Sequence, residues 1–512
     1  MNWLYFLVLG IYVLTMVGIA YYSRRKSDTL NNFYLAGRGI GPWMSAFAYG
    51  TTYFSSVILI GYAGKLGAQF GLGVLLIGIG NAVIGTYLPW KVLAKRTKLM
   101  TTKMDAKTMP EFFESRYKDK HIKLVTASII AIFLIPYTAS VYQGLGELFS
   151  AVFSVSAGSQ NTVFIICVVA LASITALYVF FGGYFATALS DFIQGIIMLV
   201  GIVVAIILVY VKVINVNPAI NNLGELISSL TNSGLGIIPE KNFFSLIVLV
   251  ILTSLGPWAL PQIIHKFYAV RDTATVKRGS IVSTIFCLVV GVCAYGAGAT
   301  GTLWGGEVGG LIASGKYDMV MPEIFTTALP PIVIAIIVVM VLAASMSTLA
   351  SLGMSCSSSV TMDIYAGYIN KKISPKKLNM TTRFASVFFI ALSAVIAIFK
   401  PAGIVELMGF SWGTLAGCFI GPYVWGLFMK KANKYGAWAS IAVTLITTLT
   451  LVFVPGFGMA QSPLIGVICM FASLIVTPLV SLATSKLATK KGLDYDYAEL
   501  TQATLDQATA EK

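Results

Sequence analysis

The apolar positions of this chain gather into about thirteen blocks separated by short polar or basic stretches. The blocks centre near Val13, Phe54, Val83, Phe133, Ala170, Leu199, Val250, Val289, Val338, Ile390, Ala416, Leu445 and Val476. Each is close to the ~20 residues that carry an α-helix across a ~30 Å hydrocarbon core, and within lipid only a helix or a closed barrel satisfies its own backbone. The pattern predicts an all-α polytopic membrane protein with about thirteen transmembrane helices. A single transmembrane domain is expected over residues 1–485, followed by a tail over 486–512. Two longer polar-mixed segments, about 214–241 and 303–330, are long enough to hold short helices.

Two blocks are interrupted. In GPWMSAFAYGTTYFSSVILIGYAG, residues 41–64, a Gly-Thr-Thr stretch sits mid-block. In NFFSLIVLVILTSLGPWALPQ, residues 242–262, Gly256-Pro257 and Pro261 cut the apolar run. Proline removes a backbone donor and clashes with the preceding turn, so a local break is predicted there. Counting blocks, the first is one of five and the second opens the next five. Paired breaks at that offset are the mark of inverted-repeat transporters, in which opened backbone coordinates ions and solute near the midplane.

Composition agrees: 57% of the 512 residues are hydrophobic and 11% charged, against about a quarter charged in soluble domains. The net charge of +15 reports orientation rather than nucleic acid. With thirteen spans and the N-terminus outside, the inner segments 24–38, 91–123, 266–278, 371–383, 430–434 and 486–512 hold 30 of the 35 Lys and Arg residues. The outer side keeps Lys65, Lys212, Lys241, Lys316 and Lys400. This asymmetry places a multi-pass protein in the cell membrane with its N-terminus outside and C-terminus cytoplasmic, its basic margins facing anionic lipid. Met1-Asn2-Trp3 carries no basic n-region and Arg24-Arg25-Lys26 follows the first block, so that block reads as a retained span rather than a signal peptide.

Catalytic motifs are missing. GLIASGKY (310–317) approaches a phosphate-binding loop, but Tyr317 stands where a hydroxyl would hold Mg²⁺, and no strand precedes it. The six cysteines fall in or beside apolar blocks without C-x-x-C spacing and read as packing. His121 and His265 lie in basic margins and suggest neither a metal cluster nor a base. The chain is not expected to be an enzyme and needs no cofactor.

The candidate chemistry lies in VLAASMSTLASLGMSCSSS, residues 341–359. Ala344, Ser347, Thr348 and Ser351 fall at i, i+3, i+4 and i+7 on one helical face. Such a face serves close helix packing, or, through its hydroxyls, a hard cation such as Na⁺; spacing leaves both open. Intramembrane acids are few. Asp191 lies about two turns inside its block, which marks a functional site or a structural carboxylate. Glu147 and Glu406 lie nearer the outer ends and Asp363 nearer the inner end.

The runs NFYLAGRGIGPWMSAFAYGTTYFSSVILIG, YVFFGGYFATALSDFIQG and AASMSTLASLGMSCSSSVTMDIY resemble the sodium:solute symporter family, in the expected order from about Val13 to Ser440. The resemblance implies a LeuT-type inverted repeat of five plus five helices, about 41–213 and 242–428, with an extra helix before it. It makes 41–64 core helix one, 242–262 core helix six and 341–359 core helix eight. The family's main sodium site, carried over by position, implies the carbonyls of Thr51, Phe54 and Ala344 and the hydroxyls of Ser347 and Thr348. A second sodium site of some members maps onto Asp191, Ser347 and Ser351, but Ala350 stands where they have serine, so one sodium per cycle is expected. The implied solute lining is Tyr53, Ser55, Ser56, Asn81, Tyr137, Gln143, Trp258 and Gln262. Proline carriers have an acid where this chain has Tyr53, and aromatics where it has Thr253 and Pro257. Sialic acid carriers use an arginine in core helix three, and 124–153 has none.

The function implied is sodium-coupled symport of a small polar solute by alternating access: a zwitterion, carboxylate or sugar-like polyol. A proton-coupled carrier using Asp191, and a channel or sensor of the same fold, are the alternatives. The partners are the solute, Na⁺ and membrane lipid, with no nucleic acid, and nothing in the sequence requires more than a monomer.

Overall fold

The computed structural model describes residues 3–23, 29–153, 159–218, 220–232 and 242–492. The basic run Arg24-Arg25-Lys26 and the acidic end of the tail lie outside them. Among the described residues the elements are helical, with one isolated bridge between Ile40 and Val270.

Among the described residues, eleven helices are long and apolar enough to cross a membrane, and their continuity accounts for the difference from thirteen. Gln160–Val216 is helical over 57 residues, a contour of roughly 85 Å at the α-helical rise, far more than one crossing needs. Its backbone leaves helical geometry at Gly183 (φ 60°, ψ −163°). Any Cβ there would meet Phe33 Cδ2 at 2.7 Å and the Phe33 carbonyl at 3.0 Å, so the position takes glycine for space as well as for φ. The helix therefore supplies two crossings, as the separate blocks at Ala170 and Leu199 predict. The apolar helix Val57–Lys103 likewise runs from the second half of one crossing through the next. With Pro42–Tyr53 as the first half, all thirteen block centres lie in separate crossings.

Both expected breaks are present. Pro42–Tyr53 ends at Phe54, whose extended backbone (φ −99°, ψ 109°) stops the helix before a wide-turn segment, Val57–Tyr62, resumes. Phe243–Leu255 gives way to one tight turn, Gly256–Trp258, then to extended Leu260, and Pro261 starts Pro261–Ala269. Proline suits that first helical position because its missing N–H would be unpaired there anyway. The two broken helices are tied where one begins and the other ends. Ile40 N–H donates to the Ala269 carbonyl (3.2 Å), and Arg271 N–H donates to the Ile40 carbonyl (3.0 Å).

Around these lies a graded bundle. Pro331–Ser358, the small-residue helix, is buried almost along its whole length. Pro375–Phe399 and Lys434–Phe453 expose large apolar side chains such as Phe399 (77%) and Phe453 (81%). The short helices expected outside are Leu223–Asn232, Gly306–Ala313 and Val320–Ala328. Within the inner basic segment 91–123 the chain is largely helical (Lys95–Lys103, Met109–Tyr117), and Phe112, Phe113 and Tyr117 pack onto the core. Gly310 lies inside a helix with no strand before it, so the phosphate-loop likeness is a chance one. All six cysteines are free thiols.

Candidate ion and solute site

The hydroxyl-rich helix divides its polar groups into two kinds. Ser345, Ser355, Ser357 and Ser358 bond carbonyls three or four residues earlier on the same helix. Such back-bonding hides a hydroxyl in a dry environment without a partner helix. Ser347, Thr348 and Ser351 instead reach across to the first broken helix. Thr348 Oγ1 lies 3.3 Å from the Thr51 carbonyl, 3.5 Å from that of Thr52 and 3.2 Å from that of Ala344. Ser347 Oγ lies 2.9 Å from Thr51 Oγ1 and 2.6 Å from Asp191 Oδ1, and Ser351 Oγ 3.2 Å from Thr52 Oγ1.

Proton accounting shows what this cluster lacks. Thr51 Oγ1 donates its hydrogen to the Phe47 carbonyl (2.9 Å). Ser347 and Thr348 then have two hydrogens to offer Asp191 Oδ1, Thr51 Oγ1 and the carbonyls of Thr51, Thr52 and Ala344. Oxygen exceeds hydrogen, and the excess sits at the C-terminal end of Pro42–Tyr53. There the last carbonyls lack helical donors and the helix dipole is negative. A bare cation resolves such a surplus. The structure thus brings Thr51, Ala344, Ser347 and Thr348, the residues the resemblance implies, close together, with Thr52 beside them. Phe54 ends the helix.

Of the implied solute lining, Tyr53, Ser55 and Ser56 lie at this break, and several of the lining groups are bonded within the protein. Tyr53 donates its phenol to the Thr253 carbonyl (2.6 Å), linking the two broken helices. Ser254 donates to Asn81 Oδ1 (3.3 Å), and Trp258 Nε1 donates to the Ile84 carbonyl (2.8 Å). Ser56 donates to the Val141 carbonyl (2.7 Å), and the Tyr137 side chain is buried. Gln143 and Gln262 are buried with both amide atoms unbonded within the protein. Trp412, which the sequence does not mark, completes an aromatic group. Its ring lies 6.0 Å from Tyr53 and 5.5 Å from Tyr137, and a Cβ on Gly256 would meet it at 3.0 Å. An aromatic inside an apolar block carries no signal that separates lining from packing.

Lys266 was expected in an inner basic loop and His265 in its margin. Both belong instead to the second half of the second broken helix, inside the bundle. Lys266 is 1% exposed, and its Nζ lies 3.5 Å from Asp191 Oδ2 and 3.0 Å from Ser351 Oγ. At 3.5 Å the contact with Asp191 is an ion pair rather than a tight hydrogen bond, and Oδ2 has no closer donor. His265 packs between Tyr34 and Tyr184, at 4.3 and 4.8 Å between ring centres. Counting basic residues at the end of an apolar block cannot tell a snorkelling lysine from one turned inward to a carboxylate.

Residues 33–444 match the family model described as the sodium:solute symporter family. The chain belongs to the sodium:solute symporter family. It is 30% identical over 445 residues to the osmoregulated proline transporter OpuE of Bacillus subtilis, covering 86% of this chain and 87% of that one. With the sodium/proline symporter of Staphylococcus aureus it shares 26% over 506 residues, 96% and 94% of the two chains. Among solved structures, a Na⁺-coupled sialic acid symporter in its substrate-bound outward-open state superposes with TM-score 0.76 at 16% identity, covering 95% and 98% of the chains. Mhp1, a nucleobase-cation-symport-1 transporter, gives 0.57 at 14%, covering 92% and 97%. The fold is the LeuT-type one, and the protein is a sodium-coupled symporter of a small organic solute, with Na⁺ as its coupling ion. The symporter's polar cluster sits at its first helix break.

Remaining acids occupy the margins. Glu406 pairs with Lys65, and Glu147 with Lys400 at 2.5 Å, both at the end expected to face out. Asp363 accepts from Thr108 (2.8 Å) and lies 3.8 Å from Lys123 at the other end.

Proposed function

We propose that one Na⁺ binds among the carbonyls of Thr51, Thr52, Phe54 and Ala344 and the hydroxyls of Ser347 and Thr348, and that it drives uptake of a small zwitterion. The surplus of oxygen over hydrogen at the break carries the reading. The solute class follows from the neighbouring groups. Tyr53, Tyr137 and Trp412 offer aromatic faces to a cationic amine. The helix N-termini at Ser55–Val57 and Pro261–Gln262 offer positive dipole ends to a carboxylate. Gln143 and Gln262 retain unused hydrogen-bonding capacity for either end. The proline-named relatives make proline the first compound to try, although Tyr53, Thr253 and Pro257 depart from the pattern of proline carriers.

Basic asymmetry supports an N-terminus outside and a C-terminus in the cytoplasm. The site is formed within one chain, so a monomer suffices, and the exposed apolar belt is met by lipid. The test is accumulation of labelled proline, other small zwitterions, monocarboxylates and polyols in proteoliposomes under a Na⁺ gradient, against a choline control. Na⁺-dependent accumulation of one zwitterion, with thermal stabilisation by that compound greater in Na⁺, is expected. Accumulation driven equally well by a proton gradient in choline would overturn it.

A further inference from the structure

The Asp191 carboxylate and the Ser351 hydroxyl, two of the groups that would hold a second sodium, already face a cation of the protein itself. We propose that the Lys266 ammonium is a resident cation in the Asp191 pocket, and that it limits this symporter to one Na⁺ per solute. The inference rests on the main sodium site proposed above.

Three observations support it. The resemblance maps a second sodium onto Asp191, Ser347 and Ser351, and each of these is engaged. Asp191 Oδ1 accepts from Ser347 (2.6 Å), Oδ2 faces Lys266 Nζ (3.5 Å), and Ser351 Oγ takes Lys266 at 3.0 Å and Thr52 Oγ1 at 3.2 Å. The ammonium is enclosed, since Lys266 is 1% and Asp191 0% exposed, and the Tyr184 ring lies 5.2 Å from Nζ. Ala350 lacks the hydroxyl that the two-sodium pattern places there.

An ammonium is a monovalent cation with three donors and no acceptor. It satisfies an anionic oxygen pocket much as an alkali ion does. It differs in being tethered: it cannot dissociate into either compartment, so it moves no charge through the cycle and draws nothing from the gradient. A Na⁺ added to the same pocket would face a like charge at a few ångströms in a dry environment, with one carboxylate between them. The second sodium therefore does not fit this chain. Lys266 is also a positioning residue for the first ion, because Asp191, held by the ammonium, in turn holds the Ser347 hydroxyl against Thr51.

The experiment is the sodium-to-solute coupling ratio in proteoliposomes at clamped zero voltage. Opposing solute and Na⁺ gradients are set to find the point of zero net flux. Wild type is expected to balance a tenfold Na⁺ gradient with a tenfold solute gradient, a ratio of one. Ala350→Ser alone should stay at one, since the ammonium remains. Lys266→Ala with Ala350→Ser removes the tether and restores the hydroxyl. That variant should move toward two, with a sigmoidal sodium dependence. A hundredfold solute gradient at balance in wild type or in Ala350→Ser overturns the inference, whether or not the double variant folds. A folded, active double variant that stays at one also overturns it. Absence of any Na⁺-driven accumulation in wild type would instead count against the proposed function, which keeps the two failures apart.

Discussion

Thr348→Ala removes one oxygen from the proposed ion site and little else. Its hydroxyl lies 3.2–3.5 Å from three carbonyls, two of them on the first broken helix, and its helix is closely packed. Hydrogen bonds to charged groups contribute about 1.5–3 kcal/mol, and a lost ion ligand in a site without water belongs in that range. At ~1.4 kcal/mol per tenfold, Na⁺ affinity should fall by roughly ten- to a hundredfold or somewhat more. The packing loss is one methyl group, on the order of 1 kcal/mol, so the protein should still insert and fold.

Thr348→Ser keeps the oxygen and should be mild. Ser347→Ala should be at least as severe as Thr348→Ala, because it also frees Asp191 Oδ1 from its hydroxyl. The assay is initial solute uptake against Na⁺ concentration for the three variants, normalised to inserted protein. Solute KM at saturating Na⁺ serves as a control, since the ion's lost affinity should return as solute affinity only where Na⁺ is limiting. Alanine at both positions with the wild-type sodium curve would refute the ion site. The face would then be a packing seam, which alanine suits as well as serine.

Asp191→Asn strands a buried ammonium, and losing one partner of such a pair costs about 3–5 kcal/mol; accumulation should be abolished and the melting temperature lowered, with Asp191→Asn plus Lys266→Met recovering part of the stability but not the sodium curve. Trp412→Ala should raise solute KM by roughly tenfold or more while sodium-dependent stabilisation without solute persists, because Trp412 touches Tyr53 and Tyr137 and not the oxygen cluster. In a cysteine-free background, single cysteines at Lys103 and Lys490 should resist an impermeant maleimide in intact cells, and one at Lys316 should react; labelling at Lys103 contradicts the proposed orientation. Gly298→Ala should block folding or lock the bundle, since its Cβ would lie 2.0 Å from the Ala63 carbonyl; thermal unfolding of detergent-solubilised protein checks this.

Features whose cause is local were legible in the chain. Gly256-Pro257 followed by Pro261 combines a flexible residue with two lost backbone donors within six positions, and the structure places the tight turn and the new helix start at those residues. The i, i+3, i+4, i+7 face of Ala344, Ser347, Thr348 and Ser351 follows from helical geometry, whereas its access to the first broken helix was implied only by the family resemblance. The division of labour among the hydroxyls was not legible. Ser345 and Ser347 have the same chemistry two residues apart. Only the position of the neighbouring helix makes one a back-bonded filler and the other a bridge to Asp191. Lys266 was misplaced for a related reason. Hydropathy scores a lysine by the water it prefers, whereas its site is decided by a carboxylate on a distant segment of chain.

The resident ammonium bears on how the two broken helices cooperate. Na⁺ would join the first broken helix to the small-residue helix through Thr51, Thr52, Ala344 and Thr348. Lys266 joins the second broken helix to the same small-residue helix through Ser351, and to Gln160–Val216 through Asp191. Both cations would therefore pull on one helix that is buried almost along its whole length. A ligand shifts a conformational equilibrium only by its difference in affinity between the two states. The tethered cation is present in every state and at every Na⁺ concentration, so its contact can set a baseline preference but cannot transduce the gradient. The exchangeable ion at the first break is left to do that alone. If Lys266 had instead been exchangeable Na⁺, each solute would draw on two ions and, at zero voltage, a tenfold gradient would support a hundredfold accumulation. Exchanging the second ion for a fixed charge lowers that ceiling to tenfold, and it keeps the second broken helix anchored when Na⁺ is scarce.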